Sequence, residues 1–255
     1  VDGQLYVGGE FTTYRTSTRN YFMRMRADGA LFTDDSFNTG VGFDKGVTVV
    51  LRQSDGKLIV GGHFSTYGGR SFNRLVRTNA DASIHDTFKV GTGFDKDVLN
   101  AAIQSDGKIV VVGSFSTYNG TACSGIVRLN TDGSVDTNFN KGGAGFKLYG
   151  ESPSVRAVLV QTDGSMVVVG SFTEFNGKTG TGSDPSAYQG IVRLKADGTL
   201  DVDFSVSDLT ERFPYGVAYT NDGRLLLSGA SAVSGPYSQI GIAVLKPENY
   251  SGSSS

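Results

Sequence analysis

The sequence predicts an all-β fold, a β-propeller of four-stranded antiparallel blades, on three observations. An Asp-Gly pair followed by a short apolar run recurs at Asp2-Gly3, Asp55-Gly56, Asp106-Gly107, Asp163-Gly164 and Asp222-Gly223, with spacings of 53, 51, 57 and 59 residues. Repeats of this length signal a propeller, a solenoid or an array. The first, third and fourth copies also carry a second Asp-Gly turn signal further on, at Asp28-Gly29, Asp132-Gly133 and Asp197-Gly198, and no long stretch shows helical periodicity.

The third copy shows the elements in order. Val98 to Gln104 is a short apolar run, and Ser105-Asp106-Gly107 follows it as a hairpin signal. Asp-Gly suits a type I′ turn, which needs positive φ at both central residues. Lys108 to Phe115 is the second strand, Ser116 to Ser124 a polar loop, and Gly125 to Asn130 the third strand. A second turn at Asp132-Gly133 leads to Ser134–Phe139, a fourth short strand or extended segment.

The other copies follow this pattern. Gly9, Gly62, Gly113, Gly170 and Gly229 share one position near the end of the second strand, where a glycine marks a bulge or a close backbone approach. Arg24, Arg77, Arg128 and Arg193 share a place on the third strand, and Asp34, His85, Asp136 and Asp201 share one across the following turn. Each of the latter stands three residues before a phenylalanine: Phe37, Phe88, Phe139 and Phe204. Arg128–Asp136 and Arg193–Asp201 read as partly buried cross-strand ion pairs, against the alternative of an arginine ring around an anion. Phe11, Phe64, Phe115 and Phe172, with Phe43, Phe94 and Phe146, read as inter-sheet core.

This pattern resembles the delta-60 repeat family of bacterial and phage proteins. Gln53 to Phe64, Gln104 to Val110 and Ile126 to Asp136 carry the resemblance, which spans residues 1–246. It implies a propeller-like array and brings no catalytic residues. The fifth copy departs most, with Ser231 in place of the phenylalanine, Val244 in place of the arginine, and Lys246-Pro247-Glu248-Asn249 in place of the second turn. Residues 1–249 divide into units of about 1–46, 47–97, 98–154, 155–214 and 215–249, with 250–255 a Ser/Gly tail. The chain opens on Val1 inside a repeat, so part of a longer chain is expected, and an open solenoid of blades is the alternative fold.

Composition bounds the function. Among 255 residues, 23 basic and 25 acidic side chains give a net charge of −2, which leaves no electrostatic footprint for nucleic acid. No apolar run reaches the length of a membrane span. The single Cys123 excludes an internal disulfide and has no histidine beside it. His63 and His85 occupy scaffold positions without a second ligand at metal spacing, so no metal and no cofactor are expected. Asn130 to Asp136 loosely resembles a calcium loop but lacks its closing acid. Asp34, Asp35, Asp201 and Asp203 are the weak candidates for a glycosidase carboxylate pair.

Function is therefore sought in the loops that break the repeat. Lys147 to Ser154 and Asn176 to Gln189 are longer than their counterparts, and they nominate Tyr149, Glu151, Lys178, Asp184 and Tyr188 as partner-binding residues. The sequence reads as a non-enzymatic structural or adhesive module of an extracellular assembly, a virion appendage or a bacterial surface protein. Its expected partners are other subunits or a surface glycan. The alternatives are a stand-alone carbohydrate- or protein-binding propeller and, further off, a propeller glycosidase or lyase.

Overall fold

The computed structural model describes residues 3–32, 37–179, 190–204, 213–229 and 242–245. It is all-β, with no helix among the described residues. Five antiparallel sheets follow one another along the chain. The first pairs Gln4–Gly8 with Phe22–Arg26. The second orders Val47–Arg52, Leu58–Gly62 and Leu75–Thr78 side by side. The third does the same with Val98–Ile103, Ile109–Gly113 and Ile126–Leu129, and the fourth with Ser154–Val160, Met166–Ser171 and Ile191–Leu194. The fifth comprises Gly216–Tyr219, Leu225–Ser228 and Ile242–Leu245.

Period-two alternation in the middle strands builds the core, because successive side chains leave opposite faces of a sheet. Leu58 and Val60 enter the cluster shared with the first sheet, while Ile59 enters the one shared with the third. Ile109 and Val111 face back toward the second sheet, and Val110 and Val112 face the fourth. Met166 and Val168 face the third sheet, and Val167 and Val169 the fifth. The middle strands of the second, third and fourth sheets are apolar on both sides because each lies between two neighbouring sheets.

The expected four-stranded blade is corrected to three strands. Ser134–Phe139 makes only a single bridge, Leu129 with Val135, and the second and fourth sheets repeat it as Thr78 with Ile84 and Leu194 with Leu200. Two hydrogen bonds, Asn130 N to Ser134 O and Asp136 N to Arg128 O, flank the bridge. The Asp136 carboxylate then accepts from Asn138 N at 3.1 Å and turns the chain out of the sheet. Asn140 N donates instead to Asp197 O on the following repeat.

The expected loop after the second strand is also more ordered than a loop. Thr117–Tyr118 pairs with Thr121–Ala122, and Thr66–Tyr67 pairs with Arg70–Ser71, as two-residue hairpins. Phe94 lies against both Phe115 and Tyr118 with ring centroids 4.5 Å away, and Phe43 and Phe146 head equivalent aromatic trios.

The type I′ expectation for the Asp-Gly turns is corrected too. Gly56 N donates to Gln53 O, Gln53 N donates to Lys57 O, and only the glycine, at φ +83°, enters the left-handed region. That is a three-residue connection, a type I turn closed by a glycine bulge. The aspartate is there for its side chain: Asp55 Oδ1 accepts from Lys57 N, Asp106 Oδ1 from Lys108 N, and Asp163 Oδ1 from Ser165 N.

The repeated strand glycines meet backbone. A Cβ at Gly62, Gly113 or Gly170 would lie 2.3, 2.1 or 2.3 Å from the carbonyl oxygens of Gly46, Asp97 and Ser154. The register shifts beside each of them, at Val47/Val49, Val98/Asn100 and Val155/Ala157. Gly9 would meet only the Phe11 ring, at 3.1 Å, and Gly229 has φ +70°.

Candidate binding surface

The recurring polar residues are engaged inside the frame. Arg128 Nε donates to Asp136 Oδ2 at 2.9 Å, and Arg193 Nε to Asp201 Oδ2 at 2.6 Å. The guanidinium of Arg128 lies 4.7 Å from the Phe139 ring centroid, and that of Arg193 lies 5.1 Å from Phe204. Arg77 Nη1 reaches Thr131 O at 2.7 Å, and Arg128 Nη1 donates to Ala196 O, so these arginines also tie one sheet to the next repeat. Desolvation raises the Asp136 carboxyl, but hydrogen bonds from Lys108 and Asn138 N and the Arg128 charge outweigh it and leave the pKa lowered.

The candidate chemistry is occupied in the same way. Asp132, in the loop that resembles a calcium site, accepts from Lys89 Nζ, Ser134 N and Ser134 Oγ. The Lys89 and Ser134 bonds hold its carboxyl well below the usual range. Among the described residues, no three His, Cys, Asp or Glu side chains are placed to hold a metal ion. Burial pushes the Cys123 thiol up to about 12, so it stays protonated and poorly nucleophilic. His63 Nδ1 sits 2.9 Å from Asp97 Oδ2, with Glu10 Oε1 at 3.9 Å from Nε2. That cluster links the first repeat to the second, and Arg74 Nε completes it at 3.3 Å from Asp97 Oδ1. Asp201 is taken by Arg193, and Asp34 and Asp35 lie outside the described residues.

The two long loops meet at their bases. Phe146–Lys147 pairs with Glu174–Phe175, which joins the segment before the fourth sheet to the one after its middle strand. Leu148 and Glu151 close a tight turn, and Phe175 bridges Lys178. Tyr149 stands at the tip, 72% exposed, with its N–H donated to Thr173 Oγ1 at 2.9 Å. Gly150 N donates to Glu174 Oε1 at 3.1 Å. Glu151 and Lys178 are exposed, whereas Asp184 and Tyr188 lie outside the described residues. An exposed aromatic ring on a loop held by hydrogen bonds loses little freedom on binding. Sequence reasoning missed the role of Thr173 and Glu174, which hold this loop. The signal was the departure of Lys147 from the Gly-Phe-Asp pattern of Asp44 and Asp95, each of which accepts two amides from the facing hairpin.

A family model described as a domain of unknown function (DUF5122) beta-propeller matches residues 2–37, 53–88, 104–139 and 161–204. No curated protein matches the chain. A protein of unknown function from Bacteroides caccae is similar in structure, at 14% identity and a TM-score of 0.50, covering 97% of this chain and 73% of that one. The extracellular domain of a putative one component system from B. thetaiotaomicron aligns at 12% identity and a TM-score of 0.45, over 94% of this chain and 29% of that one. An exo-1,5-alpha-L-arabinanase from a bovine ruminal metagenomic library aligns at 10% identity and a TM-score of 0.30, over 96% and 92%.

Proposed function

The chain belongs to the DUF5122 beta-propeller family, and from that premise we propose that it is a non-enzymatic adhesive or structural module of an extracellular assembly. The observation that carries this reading is Tyr149, exposed at the tip of a turn whose amides are anchored on Thr173 and Glu174. Glu151 and Lys178 flank it with opposite charges that can select a partner's orientation. Arg128 and Arg193 are spent on ion pairs, Arg77 on the Thr131 carbonyl and the turn aspartates on Asx turns, which supports a frame that presents loops over one that performs chemistry.

Purified protein applied to an array of bacterial and host glycans, and to itself in sedimentation, tests this reading. Saturable binding or self-association that Tyr149→Ser weakens about tenfold supports it. Release of reducing sugar from arabinan or another polysaccharide, lost on substitution of one aspartate, overturns it.

A further inference from the structure

The third repeat is open at a place where the second is filled. From Arg70 to Phe88 the second repeat aligns position for position with Thr121 to Phe139 of the third. In the second repeat Arg70 and Asp86 close the outer edge with an ion pair at 2.7 Å. Phe72 lies beneath that arginine, 5.3 Å from its guanidinium, and Phe72 and Ile84 pack against the core. Val90, two residues past Phe88, is buried at 5% exposure in the neighbouring cluster that holds Leu75 and Phe88. The third repeat carries Thr121, Thr137, Cys123 and Val135 at the four matching positions, and Lys141-Gly142 where Val90 stands. Each aligned replacement removes volume or charge. The result is a cleft of about 360 Å³ beside the third strand of the third sheet.

The walls of the cleft decide what it could hold. Ile126, Val127, Val135 and Phe139 give the cleft an apolar lining, with Val127, Val135 and Cys123 from the cluster on one face of the sheet and Ile126 and Phe139 from the cluster on the other. Arg128 and Asp136 also line it, but they are committed to each other at 2.9 Å. Lys141 stands at the rim, exposed and in no ion pair among the described residues. Gly142 and Gly143 also line the cleft, and the Gly143 amide is already donated to Asn140 O. An apolar slot with one uncommitted cation at its mouth suits a ligand with an apolar body and a single negative charge. The volume falls at the small end of ligand sites, which span roughly 300–1,000 Å³.

We propose that this cleft is a binding site for a small organic acid, its apolar body against Ile126, Val135 and Phe139 and its carboxylate at Lys141. The site is separate from the Tyr149 loop and does not depend on its role. Amide NMR of the full chain, titrated with phenylacetate and with uncharged phenylacetamide, tests it. Expected are saturable shifts at Cys123, Ile126 and Gly142, at least about fivefold weaker for phenylacetamide. Lys141→Gln should remove that difference, and Cys123→Phe should abolish the shifts by supplying the plug of the second repeat. Thr121→Arg with Thr137→Asp changes only exposed positions and should block the cleft in a protein that folds normally. No saturable shift up to about 10 mM phenylacetate overturns the proposal. Equal affinity for the acid and the amide, or undiminished binding by the folded double variant, overturns it equally.

Discussion

Arg77 stands where Arg128 and Arg193 stand, but its Nε has no hydrogen-bond partner, because His85 replaces the aspartate that would accept from it. His85 Nδ1 lies instead 3.2 Å from Arg77 Nη2 and the same distance from Thr87 Oγ1. Desolvation comes first, then the Arg77 charge, in pushing the His85 pKa below its usual value. A folded state that binds protons less readily than the unfolded one is fully stable above the unfolded pKa, ~6.5, and loses stability as pH falls through it.

His85→Asp should therefore stabilise the protein by about 1 kcal/mol at neutral pH, since a charge-assisted bond replaces a buried donor without a partner. The gain should widen between about pH 6.5 and 5, where the histidine is penalised and the new carboxylate is still ionised. Urea denaturation at pH 5.5 and 7.5 measures both. A variant less stable than wild type at pH 7.5 would mean that the Arg77 site cannot accept the aspartate geometry seen at Asp136.

Asp136→Ala should cost about 3 kcal/mol, because it strands the buried Arg128 charge. The pair is 9% and 5% exposed at its side chains, and Lys108 Nζ also lies 3.0 Å from Asp136 Oδ2. Arg128→Met with Asp136→Leu should cost less than Asp136→Ala alone, because no buried charge is left without a partner, and the part-exposed Lys108 keeps Asp106 at 3.7 Å. The wild-type contribution depends on a lowered carboxyl pKa, so it is present above ~3.9 and lost as pH falls through the folded value.

The two kinds of repeated glycine should respond differently to alanine. Gly113→Ala would place a Cβ 2.1 Å from Asp97 O and should cost about 2–3 kcal/mol, because backbone must move. Gly56→Ala meets nothing within 4 Å but keeps φ +83°, and should cost only about 1 kcal/mol. Thermal melts of the two variants compare them directly, and a reversed order would refute the close-approach account.

These glycines also mark how far the sequence could be read. Runs such as Lys108-Ile109-Val110-Val111 announce a strand buried on both faces, and the recurring Asp-Gly pairs place the turns. The turn type was not legible, because Asp-Gly serves a type I′ loop through its φ values and a type I loop through the aspartate side chain, and the letters are the same. Thr117–Tyr118 and its partner are two residues each, too short for any periodicity to register. The pairing of Phe146–Lys147 with Glu174–Phe175 joins segments 27 or more residues apart, with no local signal for their contact. The cleft of the third repeat was present in the letters, but only as a difference between two repeats that are otherwise alike.

The anchoring of the Tyr149 turn gives the last expectation. Tyr149 N and Gly150 N donate to Thr173 Oγ1 and Glu174 Oε1, on a segment that Phe146 and Lys147 pair with. Removing both acceptors with Thr173→Ala and Glu174→Ala should release the tip without loosening the strands behind it. Amide exchange at Tyr149 and Gly150 should then quicken about tenfold, the loss of roughly 1.4 kcal/mol of local protection, while Val167 to Val169 exchange as before. The global melt should move little, since both acceptors lie outside the buried clusters. If exchange at the tip is unchanged, the loop is held by something other than these two side chains, and the preorganised aromatic on which the adhesive reading depends loses its support.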